Sequence, residues 1–212
     1  VTSYVPAAAK AEGGFNSDWL TDAAFANLSA ATASFNVSYI VKGQANLQPM
    51  NVSVVLEPAE QLFVRDVFAT LFGLEAANGA LRIIASHPDV KISTRTYNAA
   101  GAEGTYGQHI PAYTKDVALT SGKIACLLQL QQNGGFRTNI GLMNVTLLPV
   151  EVEIQLYRGA GELVGVVKEN LEAGEMTQID QIFSLVGAGR VDNGYALVTV
   201  STEGGAILSY AS

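Results

Sequence analysis

The sequence predicts an all-β protein of two tandem β-sandwich domains, residues 1–109 and 110–212, each with a short helix that crosses between its two sheets. Three observations predict this fold class. Apolar and polar residues alternate in several short segments. Similar segments recur in the same order in the two halves. One segment per half places its apolar residues at helical spacing. Of the 212 residues, 49% are hydrophobic, which is enough for a buried core in each half.

The alternating segments predict strands that have one buried face and one wet face. Alternation is strict in Phe35–Ile40 and in Val150–Leu156. Val52–Leu56 and Leu163–Val167 are predicted to be their partner strands.

Two later segments in each half predict a β-hairpin. In the first half they are Leu81–Ile84 and Val90–Thr94. In the second half they are Ala196–Val200 and Ala206–Tyr210, which are separated by a glycine-containing turn.

The helical segments are Val64–Gly73 and Ile179–Gly187. Gly73 can end the first helix in a left-handed conformation. We expect the apolar stripe of each helix to pack in the core rather than to form a cofactor site.

The internal repeat requires three different offsets between its matched segments. Tyr4–Ala7 matches His109–Ala112 at 105 residues, and Leu56–Glu60 matches Leu171–Glu175 at 115 residues. The segment around Trp19 matches the one around Phe136 at 117 residues, as Asn27 matches Asn144. The second half then carries about a dozen extra residues, roughly 116–132, and the boundary falls just before Ile110.

Residue types that carry chemistry are scattered. His87 lies in a turn sequence and His109 precedes Ile110, and neither has the spacing of a metal site or of a Ser-His-Asp arrangement. We therefore expect no catalytic residue, no cofactor and no metal. The single cysteine, Cys126, lies in an apolar run and is expected to be buried.

Charge and hydropathy exclude two classes of partner. The net charge is −7 and no cluster of Lys or Arg occurs, so a nucleic-acid partner is not expected. No apolar stretch has the length of a membrane-spanning helix.

Four Asn-x-Ser/Thr sequons occur, at Asn27, Asn36, Asn51 and Asn144. They are candidate glycosylation sites. Because Asn27 and Asn144 occupy matching positions in the two halves, the alternative is a turn asparagine at a strand end.

Several motifs resemble the immunoglobulin-like β-sandwich repeats of bacterial secreted and surface proteins. They are Phe136–Asn144, Trp19–Asp22 followed by Asn27, and Thr94–Asn98 continuing to Gly104–Pro111. The resemblance covers nearly the whole chain. It implies the fold and secretion, and it implies no reaction.

These observations together predict a non-enzymatic, secreted or cell-surface protein with a structural or adhesive role. The start at Val1, without Met, is what a mature chain after signal removal would have. Its partners would be further copies of itself, other surface proteins or glycans. The alternative is a carbohydrate-binding or accessory module of a secreted protein, with Trp19, Tyr106 and Tyr113 as candidate platforms, although the match to Phe136 favours a core position for Trp19.

The most specific hypothesis is head-to-tail assembly into a fibre. The first half continues past Tyr97 into Tyr106–Pro111, whereas the second reaches only Ser212, the position matched to Tyr97. The N-terminal arm matches Tyr106–Pro111 position by position and could supply the missing segment to a neighbouring subunit. The arm consists of Val1, Thr2, Ser3, Tyr4, Val5 and Pro6.

Overall fold

The computed structural model of the protein describes residues 1–101 and 104–212, and it is all-β with antiparallel sheets, as the sequence predicts. The chain divides into two compact units. The first comprises residues 1–42 and 48–116, and the second comprises residues 43–47 and 117–212.

The first unit contains nine strands and one α-helix among the described residues. One layer has the strand order β4-β3-β6-β1, and in the other β2 lies between β7 and β5, with β8 beyond β7. β1 joins the layers, because it pairs first with β6 and then, at Ala11–Glu12, with β2. The elements are β1 (Thr2–Glu12), β2 (Asp18–Asn27), β3 (Ala33–Val41), β4 (Asn51–Leu56), β5 (Gln61–Val64), α1 (Val67–Phe72), β6 (Ala77–Ala85), β7 (Val90–Asn98), β8 (Tyr106–Pro111) and β9 (Tyr113–Thr114).

The second unit has two four-stranded sheets. Their strand orders are β11-β16-β13-β14 and β10-β17-β12-β15. The elements are β10 (Leu119–Thr120), β11 (Ile124–Gln132), β12 (Ile140–Asn144), β13 (Val150–Arg158), β14 (Leu163–Leu171), β15 (Met176–Ile179), α2 (Ile182–Leu185), β16 (Val191–Val200) and β17 (Ala206–Ala211).

Each unit has its own hydrophobic core, and both of its sheets contribute to that core. In the first unit Phe25 of β2 packs within the same cluster as Phe35 of β3, with their ring centroids 4.8 Å apart. In the second unit Leu142 of β12 and Ile154 of β13 belong to one fully buried cluster. Two sheets that enclose one core form a sandwich, and the burial of their inward faces is the main driving force for folding.

The crossover helices are confirmed, but they are shorter than the sequence predicts. α1 connects β5 of one sheet to β6 of the other, and α2 connects β15 to β16 in the same way. The first residues of each predicted helix belong instead to β5 and β15. Phe68 and Phe183, one in each helix, are completely buried and anchor the crossings in the two cores.

The predicted hairpins are wrong. β6 and β7 do not pair with each other and lie in the two different layers of the first unit, and β16 and β17 lie in different sheets of the second unit. β7 pairs with β2, and β17 pairs with β12. Two consecutive strands joined by a short connection have the sequence pattern of a hairpin. In both units, however, this connection leads from one layer of the sandwich to the other.

The register of the strands confirms two of the three repeat offsets and corrects the third. Asn27 pairs with Val90 as Asn144 pairs with Ile207, which agrees with the offset of 117 residues. The match of Tyr4–Ala7 to His109–Ala112 is wrong. The pairing of β1 with β6 begins at Thr2, and the equivalent pairing of β11 with β16 begins at Ile124. The offset between β1 and its counterpart β11 is therefore 122 residues. Most of the supposed insertion is therefore β11, the counterpart of β1.

The inner strands of each unit pair as in an immunoglobulin domain, whereas the outer strands are placed differently. β2 pairs with β5 and β3 pairs with β6. In an immunoglobulin domain the first strand shares a sheet with the second and fifth, and the last with the third and sixth. Here β1 joins β6 and β7 joins β2, so the first and seventh strands have exchanged sheets.

Residues 110–116 group with the first unit. β8 continues through Ile110 and Pro111 along the edge of β7, and β9 pairs with Ser3 and Tyr4 of β1. These contacts attach the segment after His109 to the first sandwich.

Candidate assembly site in the second unit

A groove of about 720 Å³ opens at one end of the second sandwich. It is lined by Leu128–Gln131 of β11, by Phe136–Thr138 before β12, and by Ala211 and Ser212 at the end of β17. Asp192 and Asn193 of β16 line it as well, so four separate parts of the unit converge on it.

The corresponding place in the first unit is filled by the last residues of β7. Thr96, Tyr97 and Asn98 there pair with Thr21, Leu20 and Trp19 of β2, respectively. In the second unit the equivalent pairing stops at Asn139 and Ser212, which exchange two backbone hydrogen bonds of 2.8 and 3.0 Å. Among the described residues no strand pairs with Phe136–Thr138 on the side where the first unit has Thr96–Asn98.

The outer edge of the last strand also differs between the units. In the first unit β8 pairs with β7 from Ser93 to Asn98. In the second unit β17 has β10 beside it only at Ala206 and Ile207. Beyond Ile207, no described strand lies along the outer edge of β17.

The polar groups at the rim of the groove are held in place by neighbouring residues. Thr138 exchanges hydrogen bonds with the backbone of Gln131, 2.7 and 3.0 Å long. The Asp192 carboxylate accepts from the guanidinium of Arg190 and the amide of Asn133, which lowers the pKa of Asp192. The Phe136 ring is 64% exposed. The groove thus combines an exposed aromatic ring with a fixed polar rim, which suits an extended peptide better than a small charged ligand.

The N-terminal arm of the assembly hypothesis lies within the first unit of its own chain. Thr2–Val5 pair with β6, and the Val1 amino group donates to the Ala85 carbonyl at 2.7 Å. Val5 is completely buried in the core. The arm is therefore a structural strand in the isolated chain.

The sequons at Asn27 and Asn144 have structural roles. Both side chains are completely buried, and each amide nitrogen donates to three backbone carbonyls. Asn27 donates to the carbonyls of Ala31 (2.8 Å), Leu56 (3.0 Å) and Glu57 (3.2 Å). Asn144 donates to the carbonyls of Leu148 (2.7 Å), Leu171 (3.4 Å) and Glu172 (2.8 Å). The nitrogen that a glycan would occupy is thus enclosed in the folded protein.

The hydroxyl residues of these two sequons complete the same arrangement. Ser29 donates its backbone N–H and its hydroxyl to the Asn27 carbonyl oxygen, and Thr146 does the same to Asn144. The Asn-x-Ser/Thr spacing is therefore explained by the hydrogen bonds within the turn, which join residues two positions apart. Asn36 and Asn51 are exposed, and they remain candidates for glycosylation.

The two histidines lie in different surroundings. His87 accepts a hydrogen bond from the backbone N–H of Asp89, and the Asp89 carboxylate lies 3.6 Å from the ring within the same exposed turn. His109, in β8, has its Nδ1 2.9 Å from the carbonyl oxygen of Thr94. Among the described residues no three His, Cys, Asp or Glu side chains are grouped as metal ligands.

Two residues that were expected in the core lie nearer the surface. Trp19 is only half-buried and its counterpart Phe136 is exposed, because both lie at the end of the sandwich. Cys126 is exposed, because it points away from the core in an edge strand. The other two candidate platforms, Tyr106 and Tyr113, are exposed, and Tyr106 is 74% accessible.

No helix in the described part of the chain is long and apolar enough to cross a membrane. Comparison with known proteins finds no matching family, curated protein or solved structure.

Proposed function

We propose that the protein is a non-enzymatic, extracellular structural or adhesive subunit that assembles head to tail, with the groove of the second unit receiving an extended segment of a neighbouring copy. The observation that supports this proposal is the contrast between the units. In the first unit Thr96–Asn98 and β8 occupy positions that no described strand occupies in the second.

The occupant of the groove is a β-strand, because the equivalent place in the first unit holds one. An added strand gains backbone hydrogen bonds along an open sheet edge, and alternate side chains enter the groove. The surface that donates and the surface that accepts are different, so the contact is heterologous and propagates into a fibre unless it closes into a ring.

The N-terminal segment is the donor that we propose. Val1–Pro6 resembles β8 in sequence, with Val5 and Pro6 aligned to Ile110 and Pro111, although its structural counterpart is β11; β8 is the strand that lies along the edge of β7. Donation requires β1 to detach from β6 and to uncover Val5. We therefore expect assembly to be slow and to be accelerated by mild denaturant, as in other exchanges of an element between subunits.

A chain extension that fills the groove tests the acceptor. Appending Thr-Tyr-Asn after Ser212 supplies the residues that fill this place in the first unit, and we expect the larger particles in light scattering to disappear, so that no particle exceeds two chains. An appended Gly-Gly-Gly is the control and should leave the particles unchanged. A wild-type protein that stays monomeric at high concentration contradicts the proposal, and so do two extensions that behave alike.

Disulfide trapping tests the donor. In a Cys126→Ser background, Thr2→Cys together with Arg137→Cys places one thiol on the donor and one in the groove. Oxidation should then give a ladder of covalent oligomers on a non-reducing gel, whereas either single-cysteine variant should give dimers at most. Assembly without a ladder would show that another segment fills the groove.

A further inference from the structure

β11 is an open edge strand, unlike its counterpart in the first unit. Among residues 1–101 and 104–212 it pairs only with β16. In the first unit β9 covers the equivalent edge, where Tyr113 and Thr114 pair with Tyr4 and Ser3 of β1. The second unit therefore leaves exposed a set of backbone groups that the first unit pairs.

The outward face of β11 carries three apolar side chains in a row. Ile124 is 65% exposed, Leu128 is 67% exposed, and Cys126 between them is exposed. We call these three residues the edge row. Cys126 lies opposite Leu197 of β16, so the apolar surface continues onto the next strand.

β11 lacks the devices that usually protect an edge strand. Soluble proteins place charges, prolines or a covering segment on such edges to prevent pairing with another sheet. From Ile124 to Gln132 the sequence is IACLLQLQQ, with no charged residue and no proline. The pairing with β16 shifts register between Leu127 and Leu130, where Gln129 has a φ of 61°, and again between Leu130 and Gln132, so the regular edge ends at Leu127.

We propose that β11 pairs antiparallel with β11 of a second copy across a two-fold axis. The partner strand is β11 of a second copy. Although the chain carries a net charge of −7, β11 itself is uncharged, so two copies of β11 can approach each other without local repulsion. Antiparallel pairing of identical edges is self-complementary, so it closes as a dimer. The two four-stranded sheets then form one continuous sheet.

The edge row sets the register of the pair. With the axis at Cys126, Ile124 of each copy faces Leu128 of the other, which is the first residue of the bulge, so the apolar side chains of the two rows meet where the regular edge ends. The two Cys126 residues then lie directly opposite each other, where Cβ atoms are about 4.5–5.5 Å apart. That separation is close to the distance that a disulfide bridges.

Sedimentation and oxidation test the pairing. We expect the wild-type protein to convert from one chain to two as its concentration rises, in sedimentation velocity. Diamide, which takes up the two protons and two electrons that the thiols lose, should convert the dimer to a covalent form that is absent in Cys126→Ser. A monomer at every concentration, or no covalent dimer, overturns the proposal.

Charge variants separate this interface from a general surface effect. Cys126→Lys places two like charges opposite each other, and we expect at least a tenfold weaker dimer. An equimolar mixture of Cys126→Lys and Cys126→Glu should restore dimerisation, which a merely misfolded variant would not do. Val166→Lys, an exposed position on the far strand β14, is the control and should leave the dimer unchanged.

These variants also distinguish the two proposals. Leu128 belongs to the edge row and also lines the groove, but Ile124 and Cys126 do not line it, so variants at Cys126 test the β11 pairing separately from the groove. The Thr-Tyr-Asn extension should leave the β11 dimer intact while it abolishes larger particles. A dimer that disappears with the extension, or that survives Cys126→Lys, places the contact elsewhere and overturns the β11 pairing.

Discussion

Two asparagine side chains, one in each unit, organise the same kind of turn. Replacing Asn27 or Asn144 by alanine leaves several buried carbonyl groups without a donor, together with the Ser29 or Thr146 hydroxyl. We expect each substitution to lower the free energy of unfolding by about 3 kcal/mol. Urea denaturation followed by fluorescence measures this.

Asn36→Ala is the matched control for this experiment. Asn36 is also a sequon asparagine, but it is exposed on β3. We expect a change of less than about 0.5 kcal/mol. Equal losses for Asn27→Ala and Asn36→Ala would contradict a structural role for the buried sequons.

The turn beside each asparagine contains a left-handed residue that differs between the units. Ala59 has a φ of 64°, and Gly174, its counterpart at an offset of 115 residues, has a φ of 67°. A side chain in this conformation costs roughly 1 kcal/mol. Ala59→Gly should therefore raise the free energy of unfolding by about 0.5–1 kcal/mol, with thermal unfolding as the measurement. A loss of stability on this substitution would show that the strain is relieved in another way.

At the level of single elements, Gly141 allows β12 to pack beside the Tyr210 ring of β17. A Cβ atom at Gly141 would overlap that ring, and Tyr210 is largely fixed by burial and by its hydrogen bond to Gln178, 3.1 Å long. Burial also raises the pKa of Tyr210. We expect Gly141→Ala to cost about 2 kcal/mol as an overpacked site.

A double-mutant cycle with Tyr210→Ala checks the cause of this loss. If the methyl group clashes with the ring, Gly141→Ala should cost much less once the ring is removed. Additive effects of the two substitutions would place the strain in the backbone of β12.

The elements with the strongest pattern were predictable from the sequence. Strict alternation identified β3 and β13, and the repeated Asn27 and Asn144 gave the offset that the strand register confirms. The hairpins were not predictable, because alternation shows which face of a strand is buried but not which sheet the strand joins. The correct counterpart of β1 was missed because Thr2–Val5 and Ile124–Leu127 have no residue in common and differ in burial, so that only their strand pairing relates them.

The candidate site was predicted in part. The sequence placed the difference between the two halves after Tyr97, and the groove of the second unit lies where the first unit has Thr96–Asn98. Strand register aligns Ser212 with Arg95 rather than with Tyr97, so the predicted alignment was two residues out. The open edge of β11 carried one signal, a run of nine uncharged residues, which was interpreted as an insertion.

For the molecule as a whole, net charge sets how self-association depends on salt. Copies with a charge of −7 repel each other at long range, and that repulsion is screened beyond about 8 Å at physiological ionic strength. Both proposed contacts are mainly apolar and backbone-mediated, so we expect assembly to strengthen as sodium chloride is raised. Light scattering across a salt series measures this, and weakening with salt would indicate charge pairing between copies.

The strand order of the first unit also determines when its sandwich can be completed during synthesis. β1 is synthesised before its partner β6, and Val1 and Ala85, which are hydrogen-bonded to each other, lie 84 residues apart in the sequence. At translation rates of about 5–20 residues per second, β1 waits roughly 4–17 s for that partner. During this interval β1 has no partner strand, and it can contact other nascent chains on the same messenger RNA. We expect chaperones to bind newly synthesised β1, and the yield of folded protein to fall when translation is slowed at the codons before β6.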